Sequence, residues 1–122
     1  MTTVVAAVDD FFFASKLREA ARQIGVELAF PVDVQGVVDA VAASGARLVL
    51  LDLNGDTYSR LDAVRALKAD ARTRGALTVG YLSHVMTELK KAAEASGCDR
   101  VMARSAFVKE LPRLLREASG AP

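Results

Sequence analysis

The side chains able to do chemistry in this sequence fall at a few points: the acid pair Asp9-Asp10, Asp52 followed by Leu53 and Asn54, the pair Ser83-His84, and Arg104. Three carboxylates at close range repel one another and raise their own proton affinities unless a cation sits among them. Magnesium suits such a set, because it prefers one or two carboxylates, a carbonyl and several waters to a cage made wholly of protein. Asp9, Asp10 and Asp52 are therefore the candidate metal ligands, with the backbone carbonyl of Asn54 as a fourth, and Ser83 and Arg104 add a hydroxyl and a fixed cation. A plainer role competes for Asp10, which could cap the helix that follows it. His84 invites a reading as a proton shuttle, since an unperturbed imidazole titrates near about 6.5, but a lone loop histidine is more often a surface group.

These residues can meet only if the fold gathers them. The runs Val4–Val8, Val26–Phe30, Leu48–Leu51, Leu77–Leu82 and Arg100–Ala103 are short, mostly apolar and rich in β-branched residues, so they read as strands. The first, third and fourth are nearly continuous in apolar character, as expected of parallel strands covered on both faces. Helical spacing lies between them. Phe13, Leu17, Ala20, Ala21 and Ile24 mark one buried face and Gly25 a stop. Helices are also predicted over Val34 to Ala43 with Asp33 as N-cap, over about Ser59 to Ala69 burying Leu61, Val64 and Leu67, and over about Thr87 to Ser96. The last begins near Ser105 and carries Val108, Leu111, Leu114 and Leu115 inward, with Pro112 required in or near its first turns.

Five strand-helix units with short connections imply right-handed crossovers and an α/β, flavodoxin-like doubly wound parallel sheet of order 2-1-3-4-5. In such a sheet the ligand site lies beyond the carboxyl ends of strands 1 and 3, where Asp9, Asp10 and Asp52 fall.

Composition narrows the classes. A chain of 122 residues, 52% hydrophobic and 25% charged, is expected to form one domain spanning 1–122 around one core, with no output domain. A net charge of +1 supplies no field to draw it to nucleic acid or an anionic membrane. No apolar run approaches the roughly 18 residues of a membrane span, and no signal peptide is evident. One cysteine, Cys98, excludes an internal disulfide; a cytoplasmic setting is the expectation.

The set Asp9-Asp10, Asp52, Ser83 and the Gly97-Cys98-Asp99 turn resembles the receiver domain of two-component response regulators, over essentially Val4 to Arg116. The resemblance implies that Asp52 accepts a phosphoryl group from a phosphohistidine or small phosphodonor, with magnesium on the acids and Ser83 donating a hydrogen bond to the new phosphoryl group. It also implies a histidine kinase or phosphotransfer protein upstream, a protein target downstream, no enzymatic turnover of a metabolite, and a monomer or weak homodimer.

The sequence departs from that pattern. Arg104 stands for the family's Lys, Ser105 for its Pro and Val101 for its usual aromatic, while His84 follows Ser83 where a small residue is usual, and Asn54-Gly55-Asp56 lacks the usual Met-Pro and Gly. A planar guanidinium does not substitute for an ammonium in geometry. A phosphorylation-independent pseudo-receiver, its acids neutralised by Arg104, is therefore the alternative. An enzyme or cofactor-binding domain on the same architecture is disfavoured, because the loop Asp9-Asp10-Phe11-Phe12-Phe13 carries no phosphate-binding glycine pattern. Phe11, Phe12 and Phe13 cannot all face the core: either one is exposed as a docking surface beside the acids, or Phe11 and Phe12 fold over the loop and pack locally.

Overall fold

Val4 through Ala7 offer no polar side chain, so the segment is stable only where both of its faces are covered. It forms an interior strand of the sheet, with a neighbour on each side. The computed structural model describes residues 2–83 and 86–120. Their elements, in chain order, are β1 (Thr3–Ala7), α1 (Phe11–Ile24), β2 (Glu27–Ala29), α2 (Val34–Ser44), β3 (Leu48–Asp52), α3 (Arg60–Ala69), β4 (Leu77–Leu82), α4 (Thr87–Ala95), β5 (Arg100–Ala103) and α5 (Arg104–Ser119). The strands are parallel in the order β2-β1-β3-β4-β5, as predicted.

Alternation along each strand divides the core in two. Val4, Ala6, Leu50 and Tyr81 face α1 and α5, where Leu17, Phe107 and Leu115 cover them. Val5, Ala7, Val49 and Leu51 face the other way, against Val41 of α2 and Val64 and Leu67 of α3. Helix ends follow the predicted chemistry. The Asp33 carboxylate, the predicted N-cap, accepts the Gly36 N–H at 2.6 Å, while Ser59, expected only to begin the third helix, caps it by accepting the Asp62 N–H at 3.1 Å. Gly25 ends α1 at φ 88°, in the left-handed region a side chain would resist.

Some predicted limits and faces differ. The first strand stops at Ala7, and the second shrinks to Glu27–Ala29, an edge strand that pairs with β1 at three positions only. Val108 is 44% exposed, because the buried stripe of α5 runs Phe107, Leu111, Leu114, Leu115, Ala118, and Val108 lies just outside its edge. Pro112 sits well inside α5 rather than near its start, on the exposed side, where it has no N–H to offer the Val108 carbonyl. Pro112→Ala should therefore raise stability by about 2 kcal/mol, the helix-interior penalty less the lost restraint on the unfolded chain. A urea midpoint no higher than that of the wild type would refute this. Among the described residues no helix is long and apolar enough to cross a membrane.

Candidate functional site

Register brings the chemistry together. Ala7 pairs with Leu51 and Asp52 with Tyr81, so β1, β3 and β4 release their chains at one edge of the sheet. Asp9 and Asp10 leave β1 there, Asp52 closes β3, Ser83 follows β4, and Arg104 opens α5 directly after β5. His84 lies outside the described residues.

The two acids after β1 hold separate partners. Asp10 caps α1, accepting the Phe13 N–H at 3.1 Å, and its other oxygen accepts Arg104 Nη2 at 3.1 Å. The Phe13 N–H and then Arg104 hold its carboxyl below the ordinary carboxylate value. Both side chains of this ion pair are more than a third exposed, so it contributes little by itself. Arg104 also lies 4.4 Å above the Phe13 ring. Asp9 accepts the Thr57 hydroxyl at 2.7 Å and lies 2.5 Å from Arg60 Nη2. Burial pushes its carboxyl up, but Thr57 and Arg60 outweigh that and leave it below the usual value.

Asp52 behaves differently. Its Oδ1 accepts the Asn54 N–H at 3.0 Å, and among the described residues no ion pair engages it. Burial raises its pKa against the pull of that N–H and of the positive charges of Arg60 and Arg104. An acid raised by folding contributes stability fully present below the ordinary carboxylate value and lost as pH rises through the folded value. Asp52→Asn should therefore melt at a higher temperature than the wild type at neutral pH, with the gap closing in acid. Equal midpoints at neutral pH would contradict this.

Asn54 is engaged through its side chain: its Oδ1 accepts the Ser83 N–H at 2.7 Å, and its Nδ2 donates to the Met86 sulfur at 3.1 Å. It thus ties the loop after β3 to the loop after β4. Below the site, Tyr81 stacks on Phe107 at 4.5 Å and meets the tilted ring of Phe13 at 4.8 Å. Burial pushes its phenol well above the ordinary value, and its hydroxyl has no hydrogen-bond partner among the described residues. Phe11 and Phe12 are 74% and 81% exposed, so the aromatic run divides, with only Phe13 in the core. Phe12 lines a groove with Lys16, Ser83, Arg104 and Val108.

Sequence reasoning missed Arg60. A cation in the first turn of a helix stands against the helix dipole, which is the signal that could have found it. Its side chain is 1% exposed. Nε donates to the Ala7 carbonyl at 3.0 Å, Nη1 to the Tyr58 carbonyl at 2.7 Å, and the guanidinium lies 3.8 Å over the Tyr58 ring. Gly55 makes room for it, since a Cβ there would fall 2.5 Å from Arg60 Nη2 and 2.8 Å from Cζ.

This arrangement does not fit the magnesium ion expected on Asp9, Asp10, Asp52 and the Asn54 carbonyl. Among the described residues no three Asp, Glu, His or Cys side chains converge, as the expected set of Asp9, Asp10 and Asp52 would require. Asp9 and Asp10 each close on a guanidinium instead.

No family model matches the chain, and no curated protein matches it in sequence. Solved structures match it in fold. The receiver domain of a sensor histidine kinase from Pseudomonas aeruginosa PAO1, with a magnesium ion coordinated in its active site cleft, superposes at a TM-score of 0.81 and 15% identity over 98% of each chain. A chemotaxis protein of Vibrio cholerae gives 0.80 and 14% over 97% of this chain and 98% of its own. A response regulator in red light signalling of R. palustris gives 0.75 and 20% over 95% and 92%. At these identities the likeness is one of fold: the chain has the five-stranded receiver architecture.

Proposed function

We propose that this chain is a receiver-type signalling module that acts through protein contacts, in a state set by its own arginines rather than by phosphate. The observation that carries this reading is the double closure of the β1 acids, Asp9 on Arg60 and Asp10 on Arg104. Phosphoryl transfer is mostly positioning and neutralisation of the transferring oxygens. Here the guanidiniums that could neutralise them are already hydrogen-bonded to carboxylates and carbonyls. Partners on this reading are cytoplasmic proteins, not nucleic acid or membrane, and the chain is a monomer or weak homodimer.

The second reading makes Asp52 a working phosphoacceptor. It is favoured by the lack of any ion pair to Asp52 among the described residues and by its place at the end of β3. An Asp52 oxygen would attack the phosphorus of a phosphohistidine from a histidine kinase or phosphotransfer protein, and the P–N bond electrons would leave with the imidazole. Ser83 and Arg104 would then bind the phosphoryl oxygens.

Incubation with acetyl phosphate and magnesium, beside Asp52→Asn, separates the two by intact mass. The expected result is an unchanged mass in both chains. A phosphoryl-sized gain in the wild type alone would establish the second reading and overturn the first.

A further inference from the structure

We infer that Arg60 is the resident cation of this site: its guanidinium takes the seat a divalent ion would need, so the native chain ignores divalent ions and gains a site for one when Arg60 is removed. The inference takes from the receiver-type reading only which ion such a site would hold.

Arg60 joins the elements that a bridging metal would have to join. It reaches from the start of α3 to the Ala7 carbonyl at the end of β1, to Asp9 beyond it, and to the Tyr58 carbonyl in the loop after β3. Its charge is felt at Asp52, as is that of Asp9. A nearly fully buried guanidinium with backbone acceptors on Nε and Nη1 and a carboxylate at Nη2 is fixed in place, not a surface charge that swings in by chance. Tyr58 covers its face and Gly55 leaves its edge unobstructed.

Removing Arg60 would leave the Asp9 carboxylate and the Ala7 and Tyr58 carbonyls around the space its guanidinium fills, with the Asp52 carboxylate near enough to feel a charge placed there. That is an all-oxygen donor set, which suits a hard divalent ion. It also leaves uncompensated negative charge, so the same change that opens the site makes folding depend on filling it.

The test uses Mn2+ as probe, titrated into the full chain and read by electron paramagnetic resonance of the free ion, with melting curves recorded in Mg2+ and in EDTA. The wild type is expected to show no saturable Mn2+ binding at millimolar concentrations and the same melting temperature in both solutions. Arg60→Ala is expected to melt roughly 10 °C or more below it in EDTA, to recover part of that loss in Mg2+, and to bind Mn2+ at least about tenfold more tightly than the wild type. Arg60→Met, which fills more of the cavity, gives a second chance of a folded variant and should bind likewise, whereas Arg60→Lys keeps a cation and should stay blind to Mn2+. Saturable Mn2+ binding by the wild type would overturn the inference. So would Ala and Met variants that neither bind Mn2+ nor, if unfolded, refold in tens of millimolar Mg2+. Phosphorylation of Asp52 in a wild type that ignores Mn2+ would remove the functional reading and leave this inference standing; Mn2+ binding without phosphorylation would do the reverse.

Discussion

Asp9→Asn should lose about 3–5 kcal/mol of stability, measured by urea unfolding at neutral pH, because it strands the Arg60 charge in a buried seat. The asparagine would still accept the Thr57 hydroxyl but would offer no negative charge to Nη2, and the side chain that needs it is 1% exposed. Asp10→Asn provides the contrast. Its ion pair is more than a third exposed and asparagine caps a helix as well as aspartate does, so the expected loss is about 1 kcal/mol or less. A comparable loss in both variants would mean that Arg60 does not depend on Asp9.

The pH dependence follows with a definite sign. An aspartate held below its ordinary value contributes stability present above that value, near 3.8, and lost as pH falls through the depressed one. The wild type should weaken over this acid range more steeply than Asp9→Asn, which has no carboxyl at that position to protonate.

Phe107→Ala should cost about 3–5 kcal/mol, with an unchanged dependence on urea concentration. The ring is fully buried, stacked 4.5 Å from Tyr81 and 5.9 Å from Phe13, so its removal leaves a hole in the packed core. The same stack supports the cation above Phe13, so loosening it should also weaken the Arg104–Asp10 pair. Tyr81→Phe, by comparison, removes a buried hydroxyl that has no partner among the described residues, and no loss of stability is expected. A Phe107→Ala loss below about 1 kcal/mol would show that the three rings do not form the rigid floor their geometry implies.

Much of the fold was legible because it rests on local signals. The apolar runs at Leu77–Leu82 and Arg100–Ala103 set the limits of β4 and β5, while Asp33 and Gly25 mark helix ends through chemistry that acts within a few residues. Once five parallel strands were established, topology alone gathered Asp9, Asp10, Asp52, Ser83 and Arg104 at one edge. The character of the site was less legible. Arg60 stands out only by its place against the helix dipole, and nothing local reveals that its partner is Asp9, far away in the chain and on another element. Pro112 and Val108 misled for a related reason: helical periodicity places a stripe only to within a fraction of a turn, and an exposed proline can persist where the rest of α5 packs well. The two outer phenylalanines were undecidable because both solutions satisfy the same pattern.

The close approach between position 55 and the Arg60 side chain ties the two positions together. With any side chain at 55, a Cβ would fall 2.5 Å from Arg60 Nη2, and the guanidinium would have to shift from its seat. Glycine at 55 is therefore a condition for arginine at 60 in this seat. Wherever Arg60 keeps its seat, position 55 should be glycine, and a side chain at 55 should be tolerated only where position 60 has changed.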